Sequence, residues 1–223
     1  RLEAERIDVR CATRVASVSG ATAGSELRMV VGGASSPAAF DRLLVAVGRV
    51  PSSHGLGLEG VGVTTDQSGF VEVDARLRTT AAHVFAVGDV TGAMAFTHVA
   101  AYHARVATVN ALFGTRRRVD YAAVPRVTFT DPEVAAVGLT EGEARARWEK
   151  PTIVSFDYAE LDRAITDGRP YGFVTLVGDP RGRLVGATIA APGGAESVAE
   201  LAAWITAGAK IDRISQTVHA YPT

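Results

Sequence analysis

The stretch "TTAAHVFAVGDVTG", residues 79–92, decides how this chain is expected to fold. An apolar run, Val84–Val87, leads into Gly88 and Asp89, and helical periodicity begins a few residues later, near Ala95. A run of apolar residues without polar alternation favours a strand that is buried on both faces of a layered α/β sheet. The sequence therefore predicts a buried strand, a glycine turn and a helix in close succession.

This succession of strand, turn and helix has the properties of a ligand-binding edge. Glycine has no Cβ, so Gly88 allows a ligand to approach the backbone closely. The carboxylate of Asp89 can accept hydrogen bonds from sugar or ribitol hydroxyls, and the helix start offers unpaired N–H groups and a positive dipole end. The alternative is an ordinary turn in which Asp89 acts as a cap. The residues alone leave both interpretations open.

A second glycine pattern, "GLGLEG" at residues 55–60, has the G-x-G-x-x-G spacing of a dinucleotide pyrophosphate site. Such a site needs a buried strand directly before the glycines and a helix directly after them. Here Pro51 separates the glycines from the nearest apolar run, Leu43–Val47, and the turn-rich segment "VGVTTDQSG" follows Gly60. We therefore expect a loop at residues 55–60.

The rest of the pattern predicts an α/β part followed by an α+β domain, with a boundary near residues 115–122. Periodicity and turn residues place the elements of these two parts. We expect strands at 7–11, 13–20, 26–33, 43–47, 84–87, 124–138, 152–158, 171–179 and 183–191, a helix over 95–113 ended by Gly114, a capping box at 140–143 that opens a short helix, and an amphipathic helix over 195–207.

Composition narrows the classes of function. The net charge of −1 gives no general attraction to nucleic acid or to an anionic membrane, and we interpret Arg116–Arg118 as a solvated loop. Cys11 is the sole cysteine, which excludes an internal disulfide and a cysteine-rich metal site, so we predict no metal site. No apolar run approaches the ~20 residues that span a bilayer. With no secretory leader visible, we expect a cytoplasmic protein.

Four segments resemble one family, the FAD-dependent pyridine nucleotide–disulfide oxidoreductases, which include dihydrolipoamide dehydrogenase and mercuric reductase. Residues 79–92 resemble the family's second flavin motif, and "LLVAVGRVPSSHGLGLEGVGV" at 43–63 resembles the segment before it, with Gly48, Arg49 and Pro51 matching. "RVTFTDPEVAAVGLTEGEAR" at 126–145 is similar to the start of the C-terminal dimerisation domain, and "VHAYPT" at 218–223 to its end. The four segments occur in the family's order and span nearly the whole chain.

The resemblance implies a domain organisation. Residues 1–39 would close an NAD(P)-binding domain, residues 40–117 would form the second segment of a doubly wound FAD-binding domain, and residues 118–223 would form most of an α+β dimerisation domain. The family's first FAD fingerprint, its redox-active cysteine pair and its nicotinamide fingerprint would all precede residue 1. We therefore expect a piece of a longer protein, which by itself is inactive and binds flavin weakly or not at all.

The resemblance also implies cofactor-binding residues. Asp89 would bind the FAD ribitol, Gly88 would give the flavin chain room, and Gly48 would lie near bound NAD(P)H. The backbone N–H groups of the helix start would face the N1/O2 edge of the flavin and stabilise its reduced form; this start comprises Ala95, Phe96, Thr97 and His98. We expect the His98 side chain to pack or to be exposed to solvent rather than to take part in chemistry.

One position departs from the family pattern. Members that reduce disulfides carry a histidine that serves as acid and base for the thiols of the partner subunit, whereas Tyr221 occupies that place here. A phenol with an ordinary pKa of ~10 is a poor base near pH 7 compared with an imidazole at ~6.5. Tyr221 would hydrogen-bond a substrate or a metal-bound thiolate, or pack beside the flavin. His219 lies two residues earlier and would substitute only after a backbone shift, and Pro222 is a candidate for a cis peptide.

The implied function is that of a homodimeric flavoenzyme. It would pass a hydride from NAD(P)H through FAD to a disulfide, a mercuric ion or a related acceptor such as a quinone or second nicotinamide. The alternative is a non-catalytic fragment retained for dimerisation or another interaction. The Gly88–Asp89 segment counts against that alternative, because dimerisation alone does not require it.

Overall fold

A computed structural model of the chain describes residues 2–20, 24–31 and 34–223. The chain divides into two compact units, residues 1–50 and residues 51–223. The first unit contains a three-stranded antiparallel sheet in the order β1-β2-β3. Its strands are β1 (Thr13–Ser19), β2 (Ser25–Val31) and β3 (Ala34–Phe40). Residues 32–33, the end of the strand expected at 26–33, lie outside the described residues.

Two expectations for the first unit are wrong, and one strand was not predicted. Residues 7–11 form turn and coil instead of a strand, and β3 was not predicted from its small residues and Pro37. The run Leu43–Val47 is not a strand either, and Leu44 and Val47 are 89% and 90% exposed. A strand requires a neighbour for its backbone N–H and C=O groups, and neither sheet of the described residues extends to this run.

The first part of the second unit, up to residue 124, is built from turns around one long helix. Residues 55–58 form the expected loop, with φ of +77° at Gly55 and +68° at Gly57, and a single turn of 3₁₀ helix, Glu59–Val61, follows. The predicted strand Val84–Val87 is wrong, because Phe85 makes only an isolated bridge to Arg78. Helix α1 (Thr97–Phe113) is confirmed within two residues at its start, and Gly114 ends it with φ of +61°.

One face of α1 is buried, and it combines apolar with polar residues. Val99, Val106 and Ala107 are buried, whereas Ala111 is exposed. Two polar side chains, His103 and Asn110, lie on the buried face at the same helical spacing. Val106 and Ala107 pack with Leu77 of the preceding turns, so a small core holds α1 against this region.

The remainder of the second unit is a five-stranded antiparallel sheet with short helices. The strand order is β4-β5-β8-β7-β6. The strands are β4 (Pro125–Thr128), β5 (Glu133–Gly138), β6 (Thr152–Asp157), β7 (Phe173–Gly178) and β8 (Leu184–Ala191). The helices are α2 (Glu141–Arg147), α3 (Asp162–Thr166), α4 (Gly194–Thr206) and α5 (Ile211–Gln216). The sequence predicted these elements except α3 and α5, but it predicted one strand over 124–138 where the structure has two, β4 and β5, separated by residues 129–132.

Helix α4 covers β5 and β8 and closes the main core. Val198 and Leu201 of the helix pack against buried residues of the two strands, among them Val137 and Ile189. The N-terminus of α4 is held by Glu133, whose carboxylate accepts from the Ala195 N–H at 2.9 Å. The predicted capping box of α2 is also present, with the Thr140 and Glu143 side chains each bound to the other's backbone.

The fold class is therefore mixed α/β with two antiparallel sheets, as expected at the level of class. The domain bounds 1–39, 40–117 and 118–223 stay a prediction. Among the described residues no helix combines the length and apolar character needed to cross a membrane.

Candidate functional site

The Gly88–Asp89 segment forms a single turn of 3₁₀ helix, Gly88–Thr91. The Thr91 hydroxyl donates to the Gly88 carbonyl at 2.8 Å, and the Gly92 N–H donates to the Asp89 carbonyl at 3.1 Å. The Val71 N–H donates to the Val90 carbonyl at 2.9 Å, and this hydrogen bond joins the turn to the segment around residue 71 of the same chain. Asp89 is exposed on this fixed turn, so its carboxylate faces solvent rather than the apolar interior.

Gly88 is buried between the turn and α1. A Cβ at this position would lie 3.0 Å from the Cβ of Ala100, and φ is +76°. Both the close approach and the left-handed backbone require glycine. The structure thus gives Gly88 a packing role, which is to seat the turn on α1.

The start of α1 offers backbone donors beside this turn. Phe96 is the N-cap residue in extended conformation, its side chain makes no capping hydrogen bond, and the first turn contains no acidic residue. The Ala100 N–H makes the first bond of the helix, to the Phe96 carbonyl at 3.0 Å. The N–H groups of residues 97–99 therefore have no acceptor within the helix, as is general for a helix start. They can donate to an electron-rich ligand group.

The side chain of His98 ties the helix start to the second sheet. Its Nε2 lies 3.0 Å from the Pro125 carbonyl oxygen, and its ring stacks on Phe96 with the ring centroids 5.1 Å apart. A carbonyl only accepts, so Nε2 carries the proton in this bond. The ring thus links α1 to β4.

His103 was missed in the sequence analysis. The side chain is 0% exposed, its Nδ1 accepts from the Gly88 N–H at 3.1 Å, and its Nε2 lies 2.8 Å from the Tyr121 hydroxyl. Burial lowers the pKa of His103 because it disfavours the charged imidazolium. The available signal was a histidine four residues after Val99 on the buried stripe of a helix.

The two candidates for acid–base chemistry lie in the C-terminal segment, residues 218–223, and attach to different helices. Tyr221 is 81% exposed and its hydroxyl donates to Asp162 Oδ2 of α3 at 3.0 Å, which raises the pKa of Tyr221. His219 Nε2 lies 2.9 Å from Glu200 Oε1 of α4. The hydrogen bond and charge of Glu200 raise the pKa of His219. The peptide bond Tyr221–Pro222 is cis, which confirms that expectation.

The structure thus brings together some of the predicted site residues. Gly88 packs on Ala100 of α1, Asp89 follows it on the same turn, and residues 95–98 lead into the same helix, whereas Tyr221 and His219 belong to the C-terminal segment. Gly48 lies in the first unit with φ of +132°, and a Cβ added there would meet no atom within 4 Å. Within the described part of the chain, no cluster of three histidine, cysteine, aspartate or glutamate side chains is placed to hold a metal ion.

Comparison with known proteins gives a consistent set of relatives. Residues 1–104 match the family model described as pyridine nucleotide-disulphide oxidoreductase, and residues 124–223 match its dimerisation domain. Dihydrolipoyl dehydrogenase 3 of Haloarcula marismortui is 41% identical over 184 residues, which are 82% of this chain and 38% of that protein. The Thermus scotoductus dihydrolipoyl dehydrogenase is 36% identical over 225 residues, covering 100% of this chain and 48% of that protein.

Solved structures show the same likeness in three dimensions. LpdA from Mycobacterium tuberculosis superposes with a TM-score of 0.89 at 27% identity, covering 100% of this chain and 48% of that protein. The HOCl-induced flavoprotein disulfide reductase RclA from Escherichia coli gives a TM-score of 0.88 at 26% identity, covering 100% and 51%. The chain spans about half the length of these relatives at most.

Proposed function

Because this chain belongs to the pyridine nucleotide-disulphide oxidoreductase family, whose members use FAD and NAD(P)H, we propose that it forms part of a homodimeric cytoplasmic flavoenzyme. The enzyme passes a hydride from NAD(P)H through FAD to a disulfide, a mercuric ion or a related small acceptor. The observation that carries this proposal is the exposed carboxylate of Asp89, held on a hydrogen-bonded turn that packs on α1.

The residues around Asp89 fit a flavin. The Asp89 carboxylate accepts hydrogen bonds from the ribitol hydroxyls, and the N–H groups of Thr97 and His98 donate to the electron-rich edge of the ring. Donors held by a helix are fixed before the ligand arrives, so they stabilise developing negative charge without reorganisation. When bound, FAD supplies the hydride chemistry, and Ala95 and Phe96 shape the backbone that leads into the donors.

Replacing Asp89 by alanine tests this assignment. A hydrogen bond to a charged group contributes about 1.5–3 kcal/mol, so we expect FAD to dissociate roughly 10- to 100-fold more readily from the variant. The protein is expressed from its native gene and freed of flavin. Its affinity for FAD is then measured by fluorescence titration. Asp41→Ala, which removes an exposed carboxylate of the first unit, serves as the control and leaves the affinity unchanged. Equal affinity of Asp89→Ala and the unaltered protein would refute the assignment.

The acceptor side of the enzyme lies at the C-terminal segment. We propose that Tyr221, anchored by Asp162, positions this segment or hydrogen-bonds the acceptor. His219 serves as an acid or base only if it leaves Glu200, since its Nε2 is engaged there. This arrangement favours acceptors that do not require an imidazole at position 221. Gly48 contributes to the NAD(P)H side.

Exposed apolar side chains support the homodimer. Val218 is 96% exposed and Phe129 is 78% exposed, and both lie in the region that matches a dimerisation domain. Large apolar side chains at these exposures favour burial against a second copy. Sedimentation velocity of the purified protein should give the mass of a dimer, and a monomer at micromolar concentration would contradict the homodimer. Dimerisation without flavin binding would instead favour the alternative, a non-catalytic interaction module.

A further inference from the structure

His103 is a buried polar group that the proposed chemistry does not use. It lies on the buried face of α1, where its helical neighbours Val99, Val106 and Ala107 are apolar. Burying an imidazole among such residues is unfavourable unless both ring nitrogens are hydrogen-bonded. A leucine would fill similar space without that requirement, so the two hydrogen bonds of His103 call for an explanation.

The chemistry of the two partners fixes the proton on the ring. A backbone N–H only donates, so Nδ1 must accept from Gly88 and is unprotonated. The imidazole is then neutral with its proton on Nε2, which donates to the Tyr121 oxygen at 2.8 Å. Both ring nitrogens are satisfied in this one arrangement. The lowered pKa that burial gives His103 has the same direction, because it favours the neutral ring.

The turn that carries Asp89 is connected to two other segments through this ring. Gly88 directly precedes Asp89 and is the residue that His103 binds. On its other side the ring reaches Tyr121, four residues before β4, while His98 reaches Pro125 in β4 itself. Two histidines of one helix thus hold residues 121–125, and His103 extends the connection to the turn.

We propose that His103 is a positioning residue for the flavin site. Neutral and protonated at Nε2, it holds the Gly88 N–H and thereby fixes the carboxylate of Asp89 relative to the start of α1. This role rests on the proposed function, in which Asp89 binds FAD. Tyr121 orients the imidazole through its hydrogen bond to Nε2 and so takes part in the same positioning.

Substitutions at His103 separate positioning from packing. His103→Gln keeps an acceptor for Gly88 and a donor for Tyr121, whereas His103→Leu keeps the volume and removes both. In the protein purified from its native gene, we expect FAD to bind about tenfold more weakly to the Leu variant and within about threefold of normal to the Gln variant. Tyr121→Phe, which removes only the outer hydrogen bond, should give an intermediate loss.

A second measurement tests the hydrogen bond between the Gly88 N–H and His103 Nδ1 in the absence of FAD. Hydrogen exchange of the Gly88 amide should be slow in the unaltered protein and in His103→Gln, and faster in His103→Leu. The ¹⁵N shift of Nδ1 should be that of an unprotonated imidazole nitrogen. If His103→Leu does not fold, the comparison between His103→Gln and Tyr121→Phe still gives both measurements.

The outcomes distinguish this inference from the proposed function. If Asp89→Ala weakens FAD binding and His103→Leu does not, the positioning role is refuted while the flavin site stands. The positioning role is refuted in the same way if His103→Gln binds FAD no better than His103→Leu, or if Gly88 exchange is unaffected. If neither Asp89 nor His103 variants change FAD affinity, the flavin assignment fails, and the inference with it.

Discussion

The buried network at His103 and the exposed C-terminal segment at His219 use the same side chain in opposite settings. His103 is 0% exposed and bonds to a backbone N–H and a phenol, and burial lowers its pKa. The side chain of His219 is 45% exposed and bonds to the carboxylate of Glu200, which raises its pKa. One imidazole is held neutral, whereas the other is stabilised as a cation.

These opposite settings suit the two histidines to different roles: His103 fixes geometry, and His219 can change its charge. A neutral ring with both nitrogens bonded cannot exchange protons without breaking a bond, so His103 suits a fixed structural connection. A ring in contact with solvent and one carboxylate can change its protonation at small cost, so His219 suits adjustment of the C-terminal segment. Four measurements test this contrast.

The largest effect is expected at Gly88, where the turn that carries Asp89 packs on α1. Gly88→Ala places a Cβ 3.0 Å from the Ala100 Cβ at a φ of +76°. Left-handed strain and overpacking together should lower the free energy of unfolding by about 2–4 kcal/mol. Urea denaturation at pH 7.5 measures this loss. The control is Gly60→Ala, whose Cβ would meet nothing within 4 Å, and a loss there equal to that of Gly88→Ala would remove the packing explanation.

Lowering the pH should destabilise the folded protein through His103. Its pKa is lowered on folding, so below the unfolded value of ~6.5 the unfolded chain takes up the proton first. The contribution of His103 to stability is therefore complete above pH ~6.5 and is lost as the pH falls through the folded pKa. Urea denaturation between pH 7.5 and 5 should show a smaller loss for His103→Gln than for the unaltered protein. Identical pH profiles would show that His103 does not titrate as a buried neutral ring.

The opposite sign is expected at His219. Its pKa is raised on folding, so its contribution is complete below pH ~6.5 and is lost as the pH rises through the folded pKa. Glu200→Gln should return the pKa of His219 toward its ordinary value, as NMR titration of the ring protons would record. Glu196→Gln on the same helix is the matched control and should leave the titration unchanged. The effect on unfolding should be small, because the pair is exposed.

The smallest effect is expected at the end of the chain. Tyr221→Phe removes the hydroxyl that donates to Asp162, but the ring is 81% exposed in the single chain. The thermal midpoint should therefore change by no more than about 2 °C. Differential scanning calorimetry makes the measurement. A change larger than that of Gly88→Ala would invert the contrast between the two regions.

The sequence was most informative where structure is set by neighbouring residues. The capping box at Thr140, the helix ended by Gly114 and the three strands β6, β7 and β8 follow from local rules and are confirmed, whereas the strand expected over 124–138 is divided into β4 and β5. Each of these elements has its partners within the described chain. The second sheet is closed by α4, which was predicted as an amphipathic helix from its spacing alone and buries Val198 and Leu201.

The errors occur where structure depends on distant partners. The apolar runs at 43–47 and 84–87 have strand-like composition, but a ladder requires a neighbouring strand and neither run has one among the described residues. Conversely, β3 contains Pro37 and small residues yet is a strand, because β2 offers it a continuous register. His103 was overlooked because an apolar periodicity count passes over a polar residue on the buried face.

The candidate site was predicted in part. The position of Asp89 on a turn beside a helix start was expected from the residues, and the structure has that arrangement. The packing of Gly88 on Ala100 and the hydrogen bond of Gly88 to His103 were not, because both depend on how the turn and helix meet in space. The ligands assigned to these residues stay a prediction.

The strand order of the second sheet has a consequence for synthesis of the chain. β8 lies between β5 and β7, yet it is the last of the five strands to leave the ribosome. Until residue 191 has emerged, the pairs β4–β5 and β6–β7 have no common strand to join them. Their apolar faces stay uncovered during that interval, which lengthens the time in which the nascent chain is prone to aggregate.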